Sequence, residues 1–386
     1  LSFVRTINNS PKLFILENLI KKGNVIIDIE LNINENGRIK DDYEINGFIN
    51  DGKINVFNNF NFENINFFLN IKENIFSFQN INFTTNKINF FSDNFKITQN
   101  KEDFLFEGII ENKKTNLNDE LLNLIKLKFK SIDFKNINFA SKNNFSFKID
   151  NGLKLKNLDV ESEIKIDEFK YKKPNLFNNY FPKIKNIIDF KNNNIKIKYK
   201  KNDFYLKGIG KIQLQEKKDQ IEYLITNKDK NFNLISDIFL SEINIKNQEL
   251  LKNFFPKTKK TINLKDHQVK INYNKNNLSF KGIGKIQLQN EFDKIDYSIS
   301  KIGNKFNFDT KLFLDTTSFN IDYLNYKNNK KSKTEISLIG SYKKNNGLNL
   351  NHVSVISNDN QILLKNFLLD KENKIIKVDK IDLDYF

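Results

Sequence analysis

The chain has 386 residues, enough for two or three ordinary domains or for one long repetitive body. Its 38 Phe residues and regularly spaced aliphatic residues exclude intrinsic disorder, although the net charge is +16. Cysteine is absent, which excludes disulfides and thiolate metal sites, and no run of about eighteen uncharged apolar residues predicts a membrane-spanning helix.

The basic charge is distributed along the chain, between apolar residues. From Ile195 to Lys200, for example, lysines alternate with Ile and Tyr, which places them on the opposite face of a β-strand. A basic tail, a recognition helix and an aromatic RNA-binding signature are all missing from the sequence. We therefore interpret the lysines as a solvated face and expect no nucleic-acid partner.

Alternating apolar and polar residues dominate the sequence and predict half-buried β-strands. Such alternation is clear at 25–33, 81–83, 269–273, 336–338 and 381–385. Pairs of Asn or Asp with Gly supply the positive φ angles of tight turns. They predict turns at Asn36-Gly37, Asn46-Gly47, Asp51-Gly52, Asn151-Gly152 and Asn346-Gly347.

Short helices are predicted at 11–20, 117–130, 175–180 and 248–255. The last two run into Phe181-Pro182 and Phe255-Pro256, where proline cannot donate a backbone hydrogen bond and ends the helix.

A tandem repeat with an offset of 74 residues organises the second half of the chain. Residues 207–215 recur unchanged as 281–289, and Phe232-Asn233 recurs as Phe306-Asn307. Stacked units of this size bury apolar faces against each other and predict a modular architecture. We predict a diverged β-segment at 1–170, repeat units at 171–244 and 245–318, and a C-terminal β-segment at 319–386.

No motif predicts catalysis, a metal or a cofactor. The pattern Gly208-Ile209-Gly210-Lys211 lacks the spacing of a phosphate-binding loop and continues as a strand, so we interpret its glycines as sites of a bend or bulge. Asp379, Asp382 and Asp384 lack the rest of a calcium loop. The two histidines, His267 and His352, are interpreted as polar strand residues.

The apolar strand face is the remaining candidate site. Because the strands follow one another without a second set of elements to cover them, we predict an elongated antiparallel sheet curled into a twisted hydrophobic groove. A compact β-sandwich with a covered face is the alternative. A seven-residue strand spans about 23 Å, against about 15 Å for the acyl region of one membrane leaflet. The predicted groove residues are Ile195, Ile197, Tyr199, Ile212, Leu214, Ile221, Tyr223, Val269, Ile271, Tyr273, Ile286, Leu288, Ile295 and Tyr297.

The order of these elements resembles the AsmA-like envelope proteins of Gram-negative bacteria, the YhdP and TamB group. The resemblance is carried by Phe-Pro, alternating strands, Lys-Gly-x-Gly, a Tyr-bearing strand and a Phe-Asn strand, and by 47–54, 319–324, 336–341 and 348–355. It implies an all-β groove in the periplasm that helps to move phospholipid between the inner and outer membranes, without catalytic residues.

The resemblance also implies an inner-membrane anchor. Because the sequence opens on Leu1, we expect a chain cut from a longer precursor, with the anchor outside it. Expected partners are phospholipids, both membranes and envelope proteins. Two alternatives remain: a structural or adhesive β-repeat protein with a covered face, and an envelope hydrolase built on clustered carboxylates.

Overall fold

A computed structural model describes residues 20–37, 43–56, 60–117, 132–133, 137–173, 178, 181–247, 249–275, 277–315, 317–321, 324, 326–328, 333–343, 347–358, 360–372 and 374–384. The chain divides into two compact units. Unit 1 contains Leu1–Lys130, Phe134–Phe169 and Asn192–Leu206, and unit 2 contains Ser131–Asp133, Lys170–Lys191 and Lys207–Phe386.

The strands of unit 1 form an antiparallel ladder of sequential neighbours. β1 pairs with β2, β2 with β3 and β3 with β4; β4 pairs with both β5 and β6, both of which pair with β7, and β7 continues to β9 and β10. The bounds are β1 Ile20–Glu30, β2 Glu44–Val56, β3 Phe60–Lys72, β4 Ile75–Thr85, β5 Ile88–Ser92, β6 Phe95–Gln99, β7 Asp103–Asn116, β9 Asn138–Asp150 and β10 Leu155–Lys172. The two-residue β8, Ile132–Asp133, belongs to unit 2 and pairs with Lys170 and Tyr171 at the end of β10.

The ladder of unit 2 is also antiparallel and runs from β13 through β14, β15, β16, β17, β18, β21 and β22 to β23, which pairs with β24 and β25. The bounds are β13 Asp219–Lys228, β14 Asn231–Lys246, β15 Thr261–Asn274, β16 Asn277–Gln287, β17 Asp293–Ile302, β18 Lys305–Leu314, β21 Thr334–Lys343, β22 Gly347–Ser357, β23 Asn360–Leu369, β24 Ile375–Lys377 and β25 Lys380–Asp384. A small separate pair joins β19 Asn320–Ile321 to β20 Tyr326–Lys327, and the helix α1 is Glu249–Phe254. β11 Ile187–Lys200 and β12 Asp203–Gln213 contribute residues to both units.

The all-β prediction and its antiparallel, repetitive sheet are confirmed, because strands make up 77% and helix 2% of the structure. The repeat also appears in the elements. β11 and β15, β12 and β16, β13 and β17, and β14 and β18 each begin 74 residues apart. The predicted boundaries at 170, 244 and 318 stay a prediction.

The turn prediction was partly wrong. Asn36-Gly37 and Asn151-Gly152 do form turns, but Asn46-Gly47 and Asp51-Gly52 lie inside β2. The pair Asn346-Gly347 is only half described, since Asn346 lies outside the described residues. Asp51 has a φ of 52° at a register shift between β2 and β3, so this pair forms a bulge within a strand that has partners on both sides. Other hairpins turn without glycine, as at Lys201-Asn202, where both residues have positive φ.

The helix predicted at 248–255 is confirmed over its described part as α1, which ends before Phe255-Pro256. The helices predicted at 11–20 and 117–130 fall outside the described residues apart from Ile20 and Leu117, and at 175–180 only Asn178 is described. Ile20 belongs to β1, and Leu117 is not helical.

Candidate functional site

One face of unit 2 is apolar across the whole ladder. We call it the apolar face, and its rows are set by the strand register. One row runs through Ile221, Ile238, Val269, Gly282, Tyr297, Thr310, Leu338, Val353 and Leu364. The adjacent row on the other side, which we call the polar face, contains Asp237, Lys270, Lys281 and Asp309.

The apolar face is closed at one end of its strands and open at the other. In β18 the exposed fraction rises from 1% at Leu314 to 39% at Phe306, eight residues or about 27 Å away. In β21 it rises from 5% at Ile336 to 43% at Tyr342. β15 shows the same change, from 2% at Ile262 to 37% at Tyr273.

Short segments between strands close the buried end, and we call them caps. Phe181 and Ile184 pack with Ile188, Ile212, Ile221, Leu240 and Ile243. Phe255, Phe319 and Tyr326 pack with Ile262, Ile286, Leu288, Leu314, Ile336, Val355 and Ile362. The turn after each Phe-Pro repeats, since Ile184 N–H donates to Phe181 O and Thr258 N–H donates to Phe255 O. The Phe-Pro segments therefore form part of the caps that cover the core.

Buried polar pairs tie each cap end to its sheet. Gln215 accepts from Asn244 N–H at 3.1 Å and donates to Asn244 O at 3.1 Å. Gln289 makes the same two bonds to Ser318, at 3.2 and 3.0 Å. Because both glutamines are buried, these bonds satisfy side chains that would otherwise destabilise the core.

A buried aspartate stands four residues after each glutamine. Asp219 Oδ1 accepts from the Ser241 N–H at 2.8 Å and from its hydroxyl at 2.6 Å. Asp293 Oδ1 accepts from Asp315 N–H at 2.9 Å, and its Oδ2 accepts from the Thr317 hydroxyl. We call each Gln and Asp pair a clamp.

The repeated glycines make room for tyrosine rings. A Cβ at Gly208 would lie 2.1 Å from Tyr223 Cζ, and one at Gly282 would lie 2.2 Å from Tyr297 Cζ. Burial under the same packing raises the pKa of Tyr223 and of Tyr297. The register of β16 with β17 continues through Gly282, so the predicted bend or bulge is absent between these two strands.

The bulge lies one strand away, in β15. Its register with β16 shifts between Lys265 and Gln268, where Asp266 has a φ of 52°. His267 is fully buried there, against Gly284 and the Tyr297 ring, which corrects its interpretation as an ordinary polar strand residue. Burial lowers the pKa of His267, and its Nε2 has no hydrogen-bond partner among the described residues.

The predicted groove residues of unit 2 share the apolar face but differ in exposure. Four lie under the caps and are buried: Ile212, Ile221, Ile286 and Leu288. Six are half-buried: Leu214, Tyr223, Val269, Ile271, Ile295 and Tyr297. Tyr273 alone of this set lies at the open end.

In unit 1, Ile195, Ile197 and Tyr199 are half-buried along β11 while the intervening lysines are exposed. Those lysines pair with acids of β10: Lys196 Nζ lies 2.7 Å from Glu163 Oε1, and Lys200 Nζ lies 2.5 Å from Asp159 Oδ2. The hydrogen bond from Lys196 lowers the pKa of Glu163. The predicted separation of lysines from apolar residues is confirmed on this strand.

Unit 1 has its own apolar rows, which are rich in phenylalanine. One row runs through Gly47, Leu69, Phe78, Phe95, Gly108, Phe145 and Val160. Its rings contact along the row, with centroids 5.1 Å apart for Phe78 and Phe95 and 5.9 Å apart for Phe95 and Phe145. These side chains are half-buried, as on the open part of unit 2.

Sequence reasoning missed the clamps and, apart from Tyr273, the open-end residues. Phe306 and Phe308 alternate with polar residues, and Gln215 and Gln289 end the repeated nonamer, so a signal was present for both groups. Tyr342 and Ile299 extend the same open end. Alternation identifies a face, but only the three-dimensional position of the caps separates its covered rows from its open rows.

A shallow depression of about 590 Å³ lies on the polar face beside the β15 bulge, lined by residues that include Phe239, Ile283, Lys285 and Lys294. Across the described ranges, no group of three or more His, Asp or Glu side chains could hold a metal ion. Within those same ranges, α1 and the other helical residues are too short to span a bilayer.

Comparisons of the chain with protein-family models, with curated proteins and with solved structures find no match. The resemblance to AsmA-like proteins therefore stays a prediction from the sequence pattern.

Proposed function

We propose that this protein is a non-enzymatic carrier that shields the acyl chains of phospholipids on its apolar face. By the resemblance of its sequence pattern, it would do so in the periplasm and help to move phospholipid between the inner and outer membranes. The observation that carries the proposal is the rise in exposure from Leu314 to Phe306, repeated in β15 and β21. A face that served only as a core would be covered along its full length.

The dimensions and chemistry of the open rows suit an acyl chain. Between the Tyr297 row and the Lys301 row, β17 runs four residues, or about 14 Å, close to the roughly 15 Å of one leaflet. The side chains at the open end, Tyr273, Phe306 and Tyr342, are 37%, 39% and 43% exposed, so apolar surface is available there for an acyl chain. Each Å² of apolar surface that a lipid covers would contribute about 25 cal/mol.

The central experiment measures lipid on the purified protein by native mass spectrometry and by solvent extraction, followed by transfer between liposomes. The test variant replaces Tyr273, Phe306 and Tyr342 with Thr, which keeps strand propensity and removes apolar area. We expect lipid occupancy and transfer to fall about tenfold or more.

The matched control replaces Phe239, Ile283 and Ile339 with Thr. These side chains are similarly exposed but belong to the polar face, and two of them line its shallow depression. We expect the control to keep its lipid. Ile212, Ile286 and Leu288 are unsuitable for this test because they are buried under the caps, and their substitution would unfold the core.

The outcomes separate the candidate functions. Loss of lipid in the test variant alone supports the carrier. A wild-type protein that has no copurified lipid and transfers none between liposomes would favour the structural or adhesive protein instead. Loss in the control alone would place the lipid in the polar-face depression and overturn the assignment of the site.

A further inference from the structure

The open end of the apolar face in unit 2 is bordered by a row of hairpin turns. β13 and β14 turn at 228–231, and β17 and β18 turn at 302–305. At the same end, β15 ends at Asn274 before β16 begins at Asn277, and β21 ends at Lys343 before β22 begins at Gly347. The register places these turns side by side, since Asn233 pairs with Asn274, Asn277 with Ile302, and Lys305 with Lys343. We call this border the hairpin edge.

The hairpin edge is basic. Its described residues include the exposed lysines Lys228, Lys230, Lys275, Lys301, Lys305 and Lys343, against the carboxylate of Asp229. The chain after β23 lies next to them and is balanced, with Lys371 and Lys374 beside Asp370 and Glu372. None of these six lysines forms an ion pair with another described residue. In contrast, Lys285 and Lys217 on other parts of unit 2 pair with Asp266 and Glu242.

The lysines border the exposed aromatic residues of the apolar face. Lys301 Nζ lies 5.6 Å from the centroid of the Phe306 ring, and Phe306 pairs across the sheet with Tyr342. Turns at every second strand place cationic groups about 10 Å apart along the edge, comparable to the roughly 8 Å Debye length at physiological salt. An anion there interacts with more than one lysine.

The caps fix the direction of an amphiphile on this face. A head group cannot occupy the end near Leu314 and Leu288, because aromatic cap residues fill it. The acyl chain then extends toward the caps and the head group lies at the hairpin edge. The charge at that edge decides which head groups bind best.

We propose that the hairpin edge selects phospholipids with a net anionic head group, such as phosphatidylglycerol, over zwitterionic phospholipids. This inference rests on the proposed function and names its substrate class. The lysines contact the head-group phosphate while the acyl chain covers the open rows. Selectivity should weaken as salt is raised, because exposed cations are screened.

The test loads the delipidated 386-residue protein from an equimolar mixture of phosphatidylglycerol and phosphatidylethanolamine, and native mass spectrometry counts both lipids. We expect phosphatidylglycerol to be enriched about fivefold or more, as one surface lysine near an anionic lipid suffices for this. The variant with Lys230, Lys275, Lys301 and Lys305 changed to Gln should bind both lipids equally while keeping its total lipid.

The matched control changes Lys252, Lys257, Lys259 and Lys260 to Gln. These lysines are exposed on the segment that carries the second cap, so the net charge falls equally at the opposite edge. We expect this control to keep the preference for phosphatidylglycerol.

Each outcome has one meaning. Lipid that binds without anionic enrichment, or enrichment that survives in the hairpin-edge variant, overturns this inference and leaves the carrier intact. Equal loss of enrichment in both variants also overturns it, since net charge alone would then explain selectivity. A wild-type protein that takes up neither lipid overturns the proposed function itself.

Discussion

At the scale of single residues, the glycines of the repeated nonamer are explained by the rings that lie over them. Gly208 and Gly282 leave space for Tyr223 and Tyr297, which pack across the sheet where a side chain would stand. A glycine in a strand costs conformational entropy, and here a large aromatic contact offsets that cost. The two members of each pair must therefore be considered together.

Gly282→Ala should destabilise the protein by about 1–3 kcal/mol, because the new Cβ displaces the Tyr297 ring. In a Tyr297→Ala background the same substitution should be close to neutral, since the ring is gone. Urea unfolding of the four proteins in this cycle measures the coupling. Equal costs in both backgrounds would show that the glycine is required by its backbone and not by the ring.

The burial of His267 makes the stability of the protein depend on pH. Burial lowers the pKa of His267 in the folded protein below its ordinary value of 6.5. Below pH 6.5, the His267 side chain therefore binds a proton more readily in the unfolded chain than in the folded protein. Its contribution to stability is therefore complete above about pH 6.5 and is lost as the pH falls, by up to about 1.4 kcal/mol per pH unit.

The repeat supplies a matched variant for this prediction. Asn193 occupies the equivalent position, 74 residues earlier, and is also buried. His267→Asn should therefore fold and should lose less stability than the wild type between pH 7.5 and 5.5, as measured by urea unfolding at each pH. His352 is present in both proteins, so parallel pH profiles would mean that His267 does not titrate in this range.

At the scale of elements, the clamps show how one repeat keeps its cap in place. Gln215 and Asp219 hold the end of β14, and Gln289 and Asp293 hold the chain after β18, through backbone groups in both cases. Each clamp binds a segment that leads into a cap, so cap closure depends on buried polar groups as well as on apolar packing.

Asp219→Ala should destabilise the protein by about 1–3 kcal/mol, because it leaves the partly buried Ser241 N–H without its acceptor. Asp219→Asn keeps an oxygen at the Oδ1 position and should cost less. Thermal unfolding of both variants, with lipid occupancy measured in parallel, checks the prediction. If the two substitutions cost the same, the lost charge and not the lost acceptor would be responsible.

At the scale of the whole molecule, the sequence pattern predicted the strands, the antiparallel pairing and the shared apolar face. Alternation reports which face a residue occupies, so Val269, Ile271 and Tyr273 were grouped correctly on one side. It carries no information about what covers that side. Ile286 and Tyr273 look alike in sequence, yet one lies under a cap and the other at the open end.

The bulge beside His267 illustrates a second limit of the pattern. His267 stands two residues before Val269, so alternation with Val269 places it on the apolar side, where the structure buries it. Alternation from Leu264 would instead place Asp266 on that side, and the bulge at Asp266 resolves this conflict. Such a shift depends on one residue with positive φ, and Asp in an alternating run gives little warning of it. The face of His267 was therefore readable from Val269, whereas the position of the bulge was not.

The exposure change along β15, β18 and β21 also makes the two ends of the apolar face different. The surface is buried at Leu314 and exposed at Phe306, so all acyl chains bound to it would point in the same direction. A lipid that moves from β16 to β18 would exchange one set of apolar contacts for a similar set and would keep its orientation. The sheet would thus fix the orientation of a bound lipid, while movement of the lipid from strand to strand would cross only low energy barriers.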